Sequence, residues 1–240
     1  MTERSHEKTM GSAVEEVAID ILPDDAALMV IDVQQGFDSP DLGPRNNPRA
    51  EENCARLLGG WRRAGLPVFH VRHLSDEPGS PLRAGQPGAE FKDFAMPLGD
   101  EDVIEKRVNS AFIGTDLETR LGRRGISTLV LAGLTTDHCV STTARMAGNL
   151  GFDTHVVGDA TATFDRVGPD GRRHGAEEVH ALALASLHGE FATVLDTETV
   201  LRLLPEPRSR APGGAAGGGP SWQPTGVPGE PAEAFDPHPE

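Results

Sequence analysis

The chain has 240 residues, with 22 Lys and Arg against 37 Asp and Glu, a net charge of −15. Its first 24 residues carry six acids and two bases, and residues 205 to 240 hold nine Pro and seven Gly, a composition too poor in apolar side chains to offset the entropy of ordering. The sequence therefore reads as a flexible acidic arm (1–24), one compact domain (25–204) and a disordered tail (205–240). All three parts are acidic, which argues against nucleic acid or an anionic membrane as partner.

No run approaches the roughly 18 apolar residues of a membrane span, and the N-terminus lacks the apolar core of a signal peptide, so a cytoplasmic protein is expected. The two cysteines, Cys54 and Cys139, form neither a C-x-x-C pair nor a Cys/His zinc spacing, and a reducing compartment keeps both as thiols. Only three of the basic residues are lysines, Lys8, Lys92 and Lys106.

In chain order, Ala26 to Asp32 is an apolar run ending in an acid, the pattern of a strand buried on both faces. Cys54, Leu57, Leu58 and Trp61 fall at helical spacing between Arg49 and Ala64, with Gly65 as a stop. Pro67 to His73 reads as a second strand and Asp102 to Arg107 as a third. The long Pro/Gly-rich loop between them, 74–101, reads as a lid or a subunit contact, and a homo-oligomer is expected. A short helix from Thr115 to Arg124 leads to a strand from Ser127 to Ala132. A helix (Thr136 to Leu150), a strand (Phe152 to Val157), a helix (His174 to His188), a strand (Phe191 to Leu195) and a helix (Thr197 to Leu204) complete the pattern. Alternation of this kind means βαβ units and an α/β domain: a mainly parallel sheet of about six strands between two layers of helices.

Ligands bind beyond the carboxyl ends of such strands, and Asp32, His73, Lys106 and the segment after Ala132 all lie there. Cys139 falls in the first turn of the helix opening near Thr136, where unpaired backbone N–H groups and a nearby ammonium favour thiolate. Gly133 lacks the spaced partners of a dinucleotide fingerprint, so no nicotinamide or flavin cofactor is expected. Cys54 lies on the apolar stripe of its helix and reads as core. His138 adjoins Cys139 but points elsewhere on a helix. His174, His180 and His188 read as helix-surface or interface residues, and Asp159 as a residue that caps or orients a loop.

Four segments, Asp32-Val-Gln-Gln-Gly-Phe37, Lys106-Arg-Val-Asn-Ser-Ala-Phe112, Gly133-Leu-Thr-Thr-Asp-His-Cys139-Val and Gly158-Asp-Ala160, stand in an order that resembles the isochorismatase-like cysteine hydrolases. The resemblance spans nearly all of 25–204 and implies a catalytic triad of Asp32, Lys106 and Cys139, a cis peptide between Leu134 and Thr135, and an oxyanion hole at the N–H groups of Thr135 and Cys139. Phe37, His73 and Phe112 are expected to line the substrate pocket. Nicotinamidases of this family carry an Asp-x-His metal site beside the triad. The matching stretch here, His70-Val-Arg-His73-Leu-Ser-Asp76, departs from it, so no metal is expected. The surrounding wording is closer to metal-free amidases such as streptothricin hydrolase. The expectation is a cysteine-dependent hydrolase of a carbon–nitrogen bond in a small amide, lactam or ureide, acting through a thioester and needing no cofactor. The rivals are an isochorismatase-type vinyl ether hydrolase that uses Asp32 without the thiol, and a non-catalytic scaffold.

Overall fold

The structure, a computed structural model, describes residues 21–206. The expected arm, up to residue 20, and the expected tail, from residue 207, lie outside the described residues. Leu22, counted with the arm, is buried in the core, and its N–H donates to the carbonyl of Leu203 at 2.7 Å.

The chain forms β1 (Ala27–Ile31), α1 (Ala50–Ala64), β2 (Val68–His73), β3 (Asp102–Lys106), α2 (Leu117–Arg123), β4 (Thr128–Leu134), α3 (Ser141–Asn149), β5 (Asp153–Ala162), a hairpin of β6 (Arg166–Val167) and β7 (Arg173–His174), α4 (Ala176–Leu187), β8 (Thr193–Leu195) and α5 (Thr197–Arg202). Six strands make one parallel sheet in the order β3-β2-β1-β4-β5-β8. Alternate residues of β1 feed opposite cores, as the two-residue period of a strand demands. Ala27, Met29 and Ile31 pack with α2, α3 and α4, while Leu28 and Val30 pack with Cys54, Leu57, Leu58 and Trp61 of α1 and with Val200 of α5. This gives three layers. The chain runs outward from β1 to β3 and then crosses back to β4, so the direction of winding reverses between β1 and β4, the crevice where open α/β sheets take ligands.

Local features differ from the sequence expectation where tertiary contacts decide. The helix expected from Thr136 opens as a π turn, Thr136–Val140, before α3. The strand expected to stop at Val157 runs on to Ala162, and its pairing with β4 is irregular between Leu131 and Gly133. Asp159 lies in that extension. Its carboxylate accepts from the N–H and hydroxyl of Thr197 at 2.8 and 2.7 Å and from Asn53 at 3.1 Å, which holds the start of α5 and the flank of α1 to the sheet. The hairpin β6–β7 occupies residues whose apolar content is too low to announce a strand.

The loop 74–101 is anchored in its second half. Phe91 is buried and bridges to Gln34, and the buried Lys92 ammonium pairs with Asp38 at 2.5 Å and Glu51 at 2.7 Å. Residues 76–79, in its first half, are exposed.

Candidate active site

Asp32 is the first residue past β1, with φ of 51°. This left-handed conformation is uncommon for any residue but glycine, and Asp, with Asn, tolerates it better than bulkier side chains. Gly133 lies beside it on β4, and a Cβ there would stand 2.0 Å from the Ile31 carbonyl oxygen, so only glycine lets the two strands approach at the crevice. The peptide between Leu134 and Thr135 is cis, and the π turn that follows carries Cys139.

Lys106 ends β3, two strands away from β1. Neighbouring strands lie about 4.8 Å apart, so β3 and β1 are separated by roughly twice that distance, which the long lysine side chain and the Asp32 side chain close between them. Its ammonium, fully buried, donates to Asp32 Oδ2 at 2.6 Å, to His73 Nδ1 at 3.0 Å and to Cys139 Sγ at 3.3 Å. The three residues expected as a triad thus meet at one nitrogen. Asp32 Oδ1 is buried and, among the described residues, accepts no hydrogen bond, which makes it the acceptor nearest to hand within the cluster.

Asp32, His73 and Cys139 offer ligand atoms within 4.8 Å of one another, the spacing of a metal site. Those atoms converge on the Lys106 ammonium, so the cation of this cluster is supplied by the chain itself. His70 and Asp76 take no part. His70 faces Glu101, 2.8 Å away, and Asp76 pairs with Arg107 on the surface.

The Cys139 thiol titrates above its ordinary range, raised first by burial and then by the Asp32 carboxylate, with Lys106 opposing. This corrects the expectation of a preformed thiolate: the helix-start position is outweighed by desolvation and a neighbouring negative charge. His73 is held below its usual range by burial and by Lys106, so it is neutral and accepts at Nδ1.

Two residues of the surroundings were not singled out from the sequence. Gln34, fully buried, accepts from the His73 N–H at 2.8 Å and donates to the His73 carbonyl at 3.0 Å, which fixes the end of β2. Asn109 Oδ1 accepts from Cys139 Sγ at 3.7 Å. Both lie inside the quoted segments, so their positions beside Asp32 and Lys106 were their only sequence signal. His180 corrects another expectation. It is buried, and its Nδ1 lies 2.8 Å from Thr136 Oγ1 at the start of the π turn, because that side of α4 packs on the turn. His138 and His188 are exposed, and His174 is half-buried.

A cavity of about 590 Å³ opens beside the cluster, lined by His73, Ser75, Asp76, Glu77, Arg107 and Asn109 together with Pro78 and Val108. Of the three expected pocket residues only His73 lines it. Phe112 is buried in the core against Phe152, ring centres 5.8 Å apart, and Phe37 stacks on Phe164. Cys54 is buried on α1, as its apolar stripe implies.

Comparison with known proteins adds to this geometry. The isochorismatase domain profile matches residues 26–199. The isochorismatase family protein YrdC of Bacillus subtilis, an uncharacterised protein, is 46% identical over 175 residues, covering 73% of this chain and 94% of its own. The crystal structure of a hydrolase of the isochorismatase family from Chromobacterium violaceum is 49% identical with a TM-score of 0.73, covering 75% of this chain and 94% of that one. Among more distant relatives with a stated reaction, maleamate amidohydrolase of Pseudomonas putida is 31% identical, covering 74% of this chain and 87% of its own. Nicotinamidase 3 of Arabidopsis thaliana is also 31% identical, with 75% and 88% covered. Streptothricin hydrolase of Streptomyces noursei is 32% identical, over 58% of this chain and 50% of its own.

Proposed function

The chain belongs to the isochorismatase family of hydrolases, and within it we propose a cysteine-dependent amidohydrolase that cleaves a carbon–nitrogen bond of a small amide, lactam or ureide. The observation that carries this reading is the Lys106 ammonium, which bridges Asp32 and Cys139 while Asp32 Oδ1 accepts from no described residue. Two relatives named for amide hydrolysis, maleamate amidohydrolase and nicotinamidase 3, support it.

The chemistry follows from the charges. The Cys139 proton passes to Asp32 Oδ1, so a carboxylate and a thiol become a carboxylic acid and a thiolate with no change of net charge. Lys106 lies within hydrogen-bond reach of both anions and stabilises whichever one exists. Sulfur attacks the carbonyl carbon, and the backbone N–H groups of Thr135 and Cys139 receive the oxyanion, each such donor contributing roughly 3 kcal/mol. The carbon–nitrogen bond breaks as Asp32 returns its proton to the leaving nitrogen. The thioester that remains is cleaved by water, whose proton Asp32 accepts and then gives back to sulfur, releasing a carboxylic acid. A compartment that keeps Cys139 reduced, the cytoplasm, suits this reaction.

The test is a panel of small amides, lactams and ureides scored for ammonia or amine release by the wild type and by Cys139→Ala. Release by the wild type that is lost in the variant supports the reading. A vinyl ether included in the panel separates the rival: its cleavage by the wild type and by Cys139→Ala but not by Asp32→Asn, with no amide turned over, would replace the reading with the acid-catalysed vinyl ether reaction.

A further inference from the structure

The cavity beside Cys139 has a charge pattern that the proposed reaction does not use. Its charged lining residues are Asp76, Glu77 and Arg107, and Asp76 and Arg107 neutralise each other in a direct ion pair. Glu77 makes no side-chain hydrogen bond or ion pair to any described residue; only its backbone is engaged, its N–H donating to Ser75 Oγ at 3.2 Å and its carbonyl accepting from Ser80 N–H at 3.1 Å. On the floor of the site Lys106 is balanced by Asp32 at 2.6 Å, and His73 is neutral. The lining therefore keeps one uncompensated negative charge, on a chain whose net charge is −15, and it offers no unpaired cation to a carboxylate. A field of this sign concentrates cations in a cleft and repels anions.

We propose that the substrate of this site carries an ammonium or guanidinium group next to its scissile amide, and that Glu77 selects for it. The inference rests on the amidase reading and narrows it, setting the chain apart from a hydrolase of carboxylate-bearing amides. An ordinary salt bridge between Glu77 and the substrate cation, on the open rim of the cavity, leaves the carbonyl free to approach Cys139.

The test reads charge preference at Cys139 without requiring turnover. Two methanethiosulfonate reagents of similar size, one ending in trimethylammonium and one in sulfonate, react with the full-length protein, and peptide mass mapping locates the mixed disulfide on Cys139. Each rate is divided by the same reagent's rate with 2-mercaptoethanol. The normalised ratio of cation to anion should be on the order of tenfold at low ionic strength and fall toward one in high salt. Glu77→Gln should lower it roughly fivefold, and Arg107→Gln, which frees Asp76, should raise it. A ratio at or below one in the wild type, or a ratio that Glu77→Gln does not change, overturns the inference. In parallel, three amides of equal length ending in an ammonium, a methyl or a carboxylate are assayed for hydrolysis. The ammonium amide should give the highest kcat/KM, and faster hydrolysis of either other amide overturns the inference while leaving the amidase reading intact. If none is hydrolysed but labelling keeps its cation preference, the charge selectivity stands and the amidase reading is decided by the wider panel of amides, lactams and ureides.

Discussion

Cys54 and Cys139 are the two thiols of the chain, and they pack on opposite faces of the same sheet. Both are buried, and burial raises both pKa values, to about 12 for Cys54. Among the described residues, Cys54 Sγ has one hydrogen-bond partner, the backbone carbonyl of Ala160 at 3.2 Å, and is otherwise packed in the apolar core. Cys139 has the Lys106 ammonium at 3.3 Å, an Asp32 oxygen within 4.8 Å and a cavity beside it. A raised pKa therefore does not separate the thiol we propose as nucleophile from the one we read as core. What separates them is a neighbouring group that can take the proton and a fixed cation that stabilises the charge left behind. The sheet supplies both at one end only, where strands finish and side chains project into the crevice.

The contrast is broken most severely by truncating each thiol. Cys139→Ala should lower kcat by at least about 10⁴-fold, since the nucleophile and its partners act as a unit. Cys54→Ala should leave kcat within about twofold and cost roughly 1 kcal/mol of packing, a fall in Tm of about 2–4 °C. Steady-state kinetics and thermal unfolding of the two variants check this pair of outcomes.

Removing the partners of Cys139 should make it resemble Cys54. Asp32→Asn keeps the shape but removes the proton acceptor, and a loss of about 10²–10⁴-fold is expected in both acylation and deacylation. Lys106→Met should cost about 10²–10³-fold and slow iodoacetamide alkylation of Cys139, because the thiolate loses its cation. The double variant should be little worse than the worse single one, and additive losses would mean that the two residues act independently.

A smaller effect is expected at His180, which touches the π turn rather than the reacting atoms. His180→Ala removes the contact to Thr136 Oγ1, so the turn carrying Cys139 relaxes and kcat should fall about tenfold with KM nearly unchanged. A change confined to thermal stability would assign His180 to packing alone.

The smallest perturbation is pH. Because the Cys139 thiol titrates above its ordinary range, its alkylation rate should rise about tenfold per pH unit from pH 7 to 9 with no plateau. A plateau near neutral pH would indicate a preformed thiolate. Alkylation of Cys54 should stay slow throughout, since it is 1% exposed.

The same contrast explains how much was legible in the sequence. The strands were, because a parallel sheet covered on both faces needs unbroken apolar runs such as Ala27–Ile31 and Thr128–Leu134. Asp32 and Lys106 stood out as charges at the ends of such runs, and Cys139 as a thiol at the start of a helix. The stripe of α1 announced Cys54 as core. His180 was misread because its helix is weakly amphipathic, so nothing local marks the side that meets the π turn. The extension of β5 beyond Val157 holds Gly158 and Asp159, poor strand formers, and is held there by hydrogen bonds to α1 and α5. Phe37 and Phe112 sit near the triad in sequence, but aromatic rings of that size found partners in Phe164 and Phe152 instead of facing the cavity.

The central claim is that Cys139, and not Cys54, carries the acyl group during turnover. The most direct measurement is rapid acid quenching of the wild type with any amide it turns over, followed by peptide mass mapping. An adduct equal in mass to the acyl half of the substrate, on the peptide containing Cys139 and enriched when deacylation is slowed, is the predicted result. Turnover without any adduct on that peptide, together with a Cys139→Ala variant that remains active, would contradict it.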